Sequence, residues 1–328
     1  MVLFYQLGMV PRQSRLADPS GASGKPVRHM MDQPVPGLSV ITVSHDSGDR
    51  LRSWLESWGC CASELIIVDN GSSDGAAAMA ESSGLARVLR MGCNAGYGRA
   101  ANAGAESASG ELIMLTNPDV TPSGQRSVRL LAEAARDSGL LLSGRITGAD
   151  GKPLPAGGRW PSLPWVVSQL ILPARPLGSP EDPSPAWLEG CLLLMKRSDF
   201  RALGGFDSLY PLYFEDTDLC YRAVSRGMRV KRVFDAVFVH ERGTGAPPRP
   251  ELRLPCFHWG LYRFFAAHRS ASLALAVRWL LVVKCLSRGA ALRAAGRTGP
   301  ARGYLAAVRP LIRGVPPSLE PGPGSEPA

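Results

Sequence analysis

Two groups of acidic side chains, about a hundred residues apart, are placed to do chemistry. The first closes the run Glu111-Leu112-Ile113-Met114-Leu115-Thr116-Asn117-Pro118-Asp119, an apolar stretch that ends on a carboxylate. The second is Glu215-Asp216-Thr217-Asp218, inside Phe214–Arg222. Ahead of both lie Asn94-Ala95-Gly96-Tyr97-Gly98 and Ala101-Asn102-Ala103-Gly104. A glycine-rich backbone can approach a ligand closely, and a buried strand that stops on Asp presents one carboxylate at its tip. Carboxylates on two sides of one cleft suit a divalent cation on a phosphate leaving group and a general base on the second reactant. The glycines at 96, 98 and 104 do not make G-x-G-x-x-G, which argues against a dinucleotide site. Each group also has a purely structural use. Asp119 after Asn-Pro suits a turn. Glu215 and Asp216 suit a helix N-terminus, which is compatible with chemistry. Asp218 stands four residues before Arg222 and is better read as its ion-pair partner than as a catalyst. An isolated histidine such as His240 is ordinarily structural.

Strands and helices alternate around these groups. Apolar β-branched runs predict strands at 38–44, 64–70, 86–91, 112–115, 187–196 and 230–239. Helices are expected at 50–58, 76–83, 98–107, 128–136, 200–203 and 216–226. In the first of these, Leu51, Trp54, Leu55 and Trp58 share one face, and the tryptophans read as core. Such alternation means an α/β fold with a mostly parallel sheet and helices on both faces. Ligands bind such sheets at the carboxyl ends of the strands, where Asp69 and Asp119 both fall. Residues 150–185, rich in Pro and Gly, predict a long irregular loop.

The formal net charge of +9 has a location. Residues 246–328 carry twelve Arg/Lys against three Asp/Glu, and the rest of the chain balances. Leu273–Leu286 is apolar except for Arg278 and Lys284, too short for a span of about 20 residues. With the aromatic lead-in 257–265 and the arginines that follow, it predicts a helix lying in a membrane interface. A helical hairpin packed on the body is the alternative. Interleaving of the basic residues with Leu, Val and Trp disfavours nucleic acid as a partner. Seven scattered Cys without a C-x-x-C pair read as reduced thiols. The first ten residues lack a basic n-region, so no signal peptide is expected; Met30 and Met31 suggest that translation could begin there. The expected division is a disordered leader 1–36, a body 37–245, a helical basic segment 246–313 and a disordered tail 314–328.

From about Leu38 to Gly245 the chain resembles the inverting family 2 glycosyltransferases of GT-A fold, nearest their rhamnosyltransferase-like branch. The resemblance rests on the order of Val43-Ser44-His45-Asp46-Ser47, Val68-Asp69-Asn70-Gly71-Ser72-Ser73-Asp74, Asn94–Gly98, Asn117-Pro118-Asp119, Gly204-Gly205-Phe206-Asp207, Phe214–Arg222 and His240. It implies a hexosyltransferase that moves sugar from a nucleotide-diphosphate donor, dTDP-rhamnose first, to a cell-surface glycan or lipid-linked intermediate. It further implies Mg²⁺ or Mn²⁺, and work at the cytoplasmic face of the cell membrane. By resemblance, Asp69 meets the nucleotide base and Ser44 and His45 flank the nucleoside. Asn94, Gly96, Asn102 and Asn117 belong to the donor site. Asp119 ligates the metal, His240 completes the metal or diphosphate site, and Asp216 is the catalytic base, with Glu215 beside it. Two positions depart from the family pattern. Asn117 replaces the first acid of Asp-x-Asp, leaving fewer charges for a metal, and Asp46 stands where many relatives carry Asn. Another donor sugar (mannose, galactose or glucose) or a non-catalytic nucleotide-sugar-binding subunit are the alternatives.

Overall fold

The computed structural model describes residues 33–171, 178–179, 182, 185–242 and 249–319. The leader to residue 32, the tail from 320 and part of the expected loop at 150–185 lie outside these, as do the expectations of disorder there.

Period-two burial builds the sheet. In β1 (Val35–Ser44), Leu38 and Val40 face one side while Ile41 faces the other; Leu65 and Ile67 alternate with Ile66 and Val68 in β2 (Ala62–Asp69). Met114 opposes Ile113 and Leu115 in β4 (Leu112–Thr116). Every strand buried on both faces demands helices on both faces. Helices α1 (Gly48–Trp58), α2 (Ala76–Ser83) and α4 (Gln125–Ala134) cover one side. Helices α3 (Tyr97–Ser107), α6 (Arg197–Leu203) and α7 (Glu215–Ser225) cover the other. The remaining strands are β3 (Arg87–Arg90), β5 (Val120–Pro122), β6 (Leu140–Thr147), β9 (Leu192–Lys196) and β10 (Arg229–His240). The eight-stranded order is β3-β2-β1-β4-β9-β6-β10-β5. Pairings from β3 to β4 are parallel, as is β6 with β10, whereas β9 runs antiparallel to both neighbours and β5 antiparallel to β10.

Several elements differ from expectation. Strand β1 begins at Val35, inside the expected leader, because its N–H donates to the Cys61 carbonyl at 2.9 Å. Strand β6 was not anticipated, since Gly144 breaks its apolar run; a Cβ there would collide with the Ala236 carbonyl and the Phe238 ring. The expected strand 187–196 is two strands, β8 (Trp187–Leu188) and β9, parted at Glu189-Gly190-Cys191. Strand β8 pairs with β7 (Gly157–Gly158), and α5 (Leu163–Ile171) also falls within the expected loop.

Helices α8 (Pro250–His268), α9 (Ala271–Ala294) and α10 (Thr298–Arg313) form a third core with the body. Leu261, Phe264, Phe265, Val277 and Leu281 pack there with Tyr210 and Phe214. The aromatic lead-in is therefore interior: Trp259, Phe264 and Phe265 are buried, which corrects its expected place at a membrane interface. Among the described residues no helix is long and apolar enough to cross a membrane.

Candidate active site

Asp216 sits at the first turn of α7, and three donors fix its carboxylate. Gly190 N–H donates to Oδ2 at 2.8 Å, while Thr217 N–H and Oγ1 donate to Oδ1 at 2.6 and 3.1 Å. Burial, and then the nearby Glu189 carboxylate, push its pKa up to about 6, against the lowering pull of these donors. Glu215 is more deeply buried, its Oε2 has no hydrogen-bond partner, and burial followed by the Asp216 charge raises its pKa well above the usual range. Burial and the neighbouring charge therefore disfavour a second negative charge on Glu215 beside Asp216. Both line a cavity of about 220 Å³ with Tyr97, Trp187, Tyr213 and Phe257. The approach to α7 is strained. Tyr213 and Phe214 adopt φ of 69° and 71°, an unfavourable region for aromatic residues. Helix α8 presses Gly260 onto them so closely that a Cβ would lie 2.6 Å from the Tyr213 carbonyl. Packing that over-determines a strained pair is what such strain needs to persist.

The first acidic group meets the second across Glu189-Gly190-Cys191. Asn117 N–H donates to the Cys191 carbonyl at 3.0 Å, and Asn117 lines the Asp216 cavity. The break between β8 and β9 thus holds Asn117 on one side and Asp216 on the other. Two tryptophans of α1 support the turn from beneath: Trp54 Nε1 donates to Thr116 Oγ1 at 2.8 Å and Trp58 Nε1 to the Val120 carbonyl at 2.9 Å. Strand β5 then pairs Val120 with His240, which brings His240 Nε2 to 3.2 Å from Asp119 Oδ1. Arg242 Nε donates to His240 Nδ1 at 3.1 Å and its guanidinium also bonds Glu189. An arginine only donates, so Nδ1 accepts and the proton on Nε2 points at Asp119.

These residues fit a divalent cation that is shared with a ligand. Asp119 would offer a carboxylate and His240 an imidazole, and the remaining ligands would have to come from the bound substrate and water, as is common for Mg²⁺. Among the described residues no group of three or more His, Cys, Asp or Glu is placed to hold a metal by itself. To ligate through Nε2, His240 would have to carry its ring proton on Nδ1, and Arg242 could then no longer donate there.

At the ends of β1 and β2, Ser44 Oγ is buried without a partner, and His45 Nδ1 lies 3.0 Å from the Asn70 carbonyl. Asp69 Oδ1 accepts from Ser72 N–H at 3.1 Å, and Oδ2 lies 4.0 Å from Arg90. Other expected donor-site residues are engaged in the fold. Asn94 Oδ1 accepts from Asn70 Nδ2 at 2.9 Å and from Gly96 N–H at 3.2 Å. Gly96, at φ 90°, faces the Pro211 carbonyl, which a Cβ would meet at 2.6 Å. Asn102 exchanges both bonds with the Phe206 backbone, at 2.8 and 2.9 Å, and clamps the Gly204-Gly205 turn. Both ends of its amide thus have a partner in the fold.

Residues 39–201 match the Glycosyl transferase family 2 model, and residues 181–240 match one described as the N-terminal domain of galactosyltransferase. The chain carries a family 2 glycosyltransferase domain. It is 29% identical over 281 residues to an N-acetylglucosaminyl-diphospho-decaprenol L-rhamnosyltransferase of Mycobacterium tuberculosis, a match covering 74% of this chain and 89% of the relative. Among solved structures, the mannosyltransferase PcManGT of Pyrobaculum calidifontis, in complex with GDP-Man and Mn²⁺, superposes with a TM-score of 0.52 at 17% identity, covering 84% of this chain and 87% of the other. GalNAc-T7 with UDP, GalNAc and Mn²⁺ gives 0.52 at 18% identity over 70% of this chain and 47% of its own. These two likenesses concern the fold, which is GT-A-like.

Sequence reasoning missed Glu189, Gly190, Thr217 and Arg242 in this glycosyltransferase. A glycine inside an apolar strand-like run is a signal for a bulge or break, and it would have drawn attention to Gly190. Nothing local marks Arg242, whose partners are His240 at the end of β10, Pro155 ahead of β7 and Glu189 in the break between β8 and β9.

Proposed function

We propose that this glycosyltransferase moves a sugar, rhamnose first, from a nucleoside-diphosphate donor to a lipid-linked diphosphate glycan with inversion. The observation that carries the reading is Asp216: an ionised carboxylate with raised basicity, aimed by three donors into an aromatic-lined cavity that it shares with Asn117. Aromatic walls suit the apolar faces of a sugar, and a base at one side of the reacting carbon gives inversion. The name of the Mycobacterium tuberculosis relative supports both rhamnose and a polyprenyl-diphosphate acceptor.

In this mechanism Asp216 takes the proton of the acceptor hydroxyl as the oxygen attacks. Burial of Glu215 disfavours its charged form and so opposes a second negative charge beside Asp216. Ser44 supplies a hydroxyl at the donor site and Asp69 an acceptor for the base edge. Asp119, with His240, would hold Mg²⁺ or Mn²⁺, which when bound neutralises charge on the leaving diphosphate. The cytoplasmic membrane face is where such a donor and acceptor meet. A donor panel tests the reading: the protein, Mn²⁺, each nucleotide sugar and a polyprenyl-diphospho-N-acetylglucosamine acceptor, with nucleoside diphosphate release as readout. Acceptor-dependent release from dTDP-rhamnose is expected. Release from another donor alone overturns the choice of sugar, and no release from any donor overturns catalysis.

A further inference from the structure

Helix α9 has two apolar faces. Val277, Leu281, Val282 and Cys285 point into the third core. Leu275, Trp279, Val283 and Leu286 follow the spacing i, i+4, i+8, i+11, one stripe of a helix, and are 52%, 52%, 60% and 47% exposed. Ile312 and Val315, each 50% exposed, lie beside the stripe, because Arg278 reaches from α9 to the carbonyls of Leu311 and Ile312. Of the ten large hydrophobic residues exposed among the described residues, six are in this patch. Scattered exposed apolar residues are ordinary, but a contiguous patch marks a contact surface.

The rim identifies the partner. Arg288, Arg293, Arg309 and Arg313 are exposed at the ends of α9 and α10. Between residues 249 and 319 the chain has twelve basic residues and a single acid, Glu251. A second copy of the chain would set this basic rim against itself. A bilayer with anionic headgroups offers what the patch lacks, negative charge outside and hydrocarbon within. Trp279, in mid-stripe, is the residue type that favours the headgroup boundary.

We propose that the outer face of α9, with Ile312 and Val315, lies in the surface of an anionic phospholipid bilayer, the helix parallel to the membrane and its opposite face still packed on the body. The inference does not depend on which sugar or acceptor the enzyme uses.

Flotation of the full-length protein with vesicles tests it. Phosphatidylcholine vesicles with and without phosphatidylglycerol are compared. Wild type is expected to float with the anionic vesicles and much less with the neutral ones. Trp279→Ser with Val283→Ser should lower partition at least about tenfold, given the apolar area removed. Arg309→Gln with Arg313→Gln should lower it roughly fivefold per charge. Raised salt should mimic the arginine variants only, since apolar burial is not screened. All variants should keep the wild-type melting temperature, because the altered side chains are exposed. Wild type left in the lipid-free fraction with anionic vesicles overturns the proposal. So does undiminished flotation of the Trp279/Val283 variant. A concentration-dependent dimer in sedimentation, abolished by that same variant, would assign the face to a second copy instead.

Discussion

Replacing Asp216 by Asn separates its chemical role from its structural one. The carboxylate accepts three hydrogen bonds, and an amide accepts through one oxygen only, so its NH₂ must face either Gly190 N–H or the Thr217 donors. A donor set against a donor costs about 1–3 kcal/mol. Against this stands the relief of a disfavoured charge. The shift from 3.8 to about 6 corresponds to roughly 3 kcal/mol against the ionised form above pH 6. The second effect equals or exceeds the first, so at pH 7.5 the melting temperature of Asp216→Asn should hold or rise by a few degrees. Transfer should fall by about 10²–10⁴, the usual worth of a general base. Wild-type kcat/KM should climb with pH through about 6, because the base is active only when deprotonated; the variant should lose that limb. The assays are nucleoside diphosphate release over pH 5–8 and calorimetry. Transfer within tenfold of wild type refutes the base assignment, and a melting temperature lowered by more than about 5 °C shows the residue to be chiefly a structural pin.

Three further perturbations follow from the geometry. Asp119→Ala should abolish the Mn²⁺-dependent part of donor binding, read as the difference in thermal shift with dTDP-rhamnose with and without the metal; an unchanged difference rules out a metal role for Asp119. Gly260→Ala places a Cβ 2.6 Å from the Tyr213 carbonyl and 2.9 Å from the Phe214 ring, so it should cost about 1–3 kcal/mol and, by displacing the lead into α7, lower kcat at least about tenfold. A lowered melting temperature with unchanged kcat would confine Gly260 to packing. Asp218→Asn breaks a buried network with Arg222 at 2.8 Å and His268 at 2.7 Å and should cost about 3–5 kcal/mol, a fall on the order of 10 °C. Burial alone would raise the pKa of Asp218, but the His268 hydrogen bond and the Arg222 charge hold it below its ordinary value. Its contribution is therefore present above about pH 4 and lost as pH falls below that. Stability differences between wild type and Asp218→Asn that persist unchanged in acid contradict this.

Local pattern alone reaches far into this protein. The alternation of Leu38, Val40 and Ile41, the stripe Leu51, Trp54, Leu55 and Trp58, and the acids that end β2 and open α7 are all readable along the chain. Strand pleat and helix pitch impose those periods on whatever sequence adopts them. Tertiary structure alone decided which polar groups meet. Gly190 in the apolar run 187–196 hints at a break, but nothing along the chain shows that the break bonds Asp216 with one residue and Asn117 with the next. No local pattern shows that Phe206, 104 positions away, bonds both ends of the Asn102 amide. The apolar run in α9 looks uniform until packing against α8 and α10 buries one side and leaves Trp279 and its neighbours outside. Hydrogen-bond partners and exposure belong to pairs of distant segments, and no period within one segment encodes them.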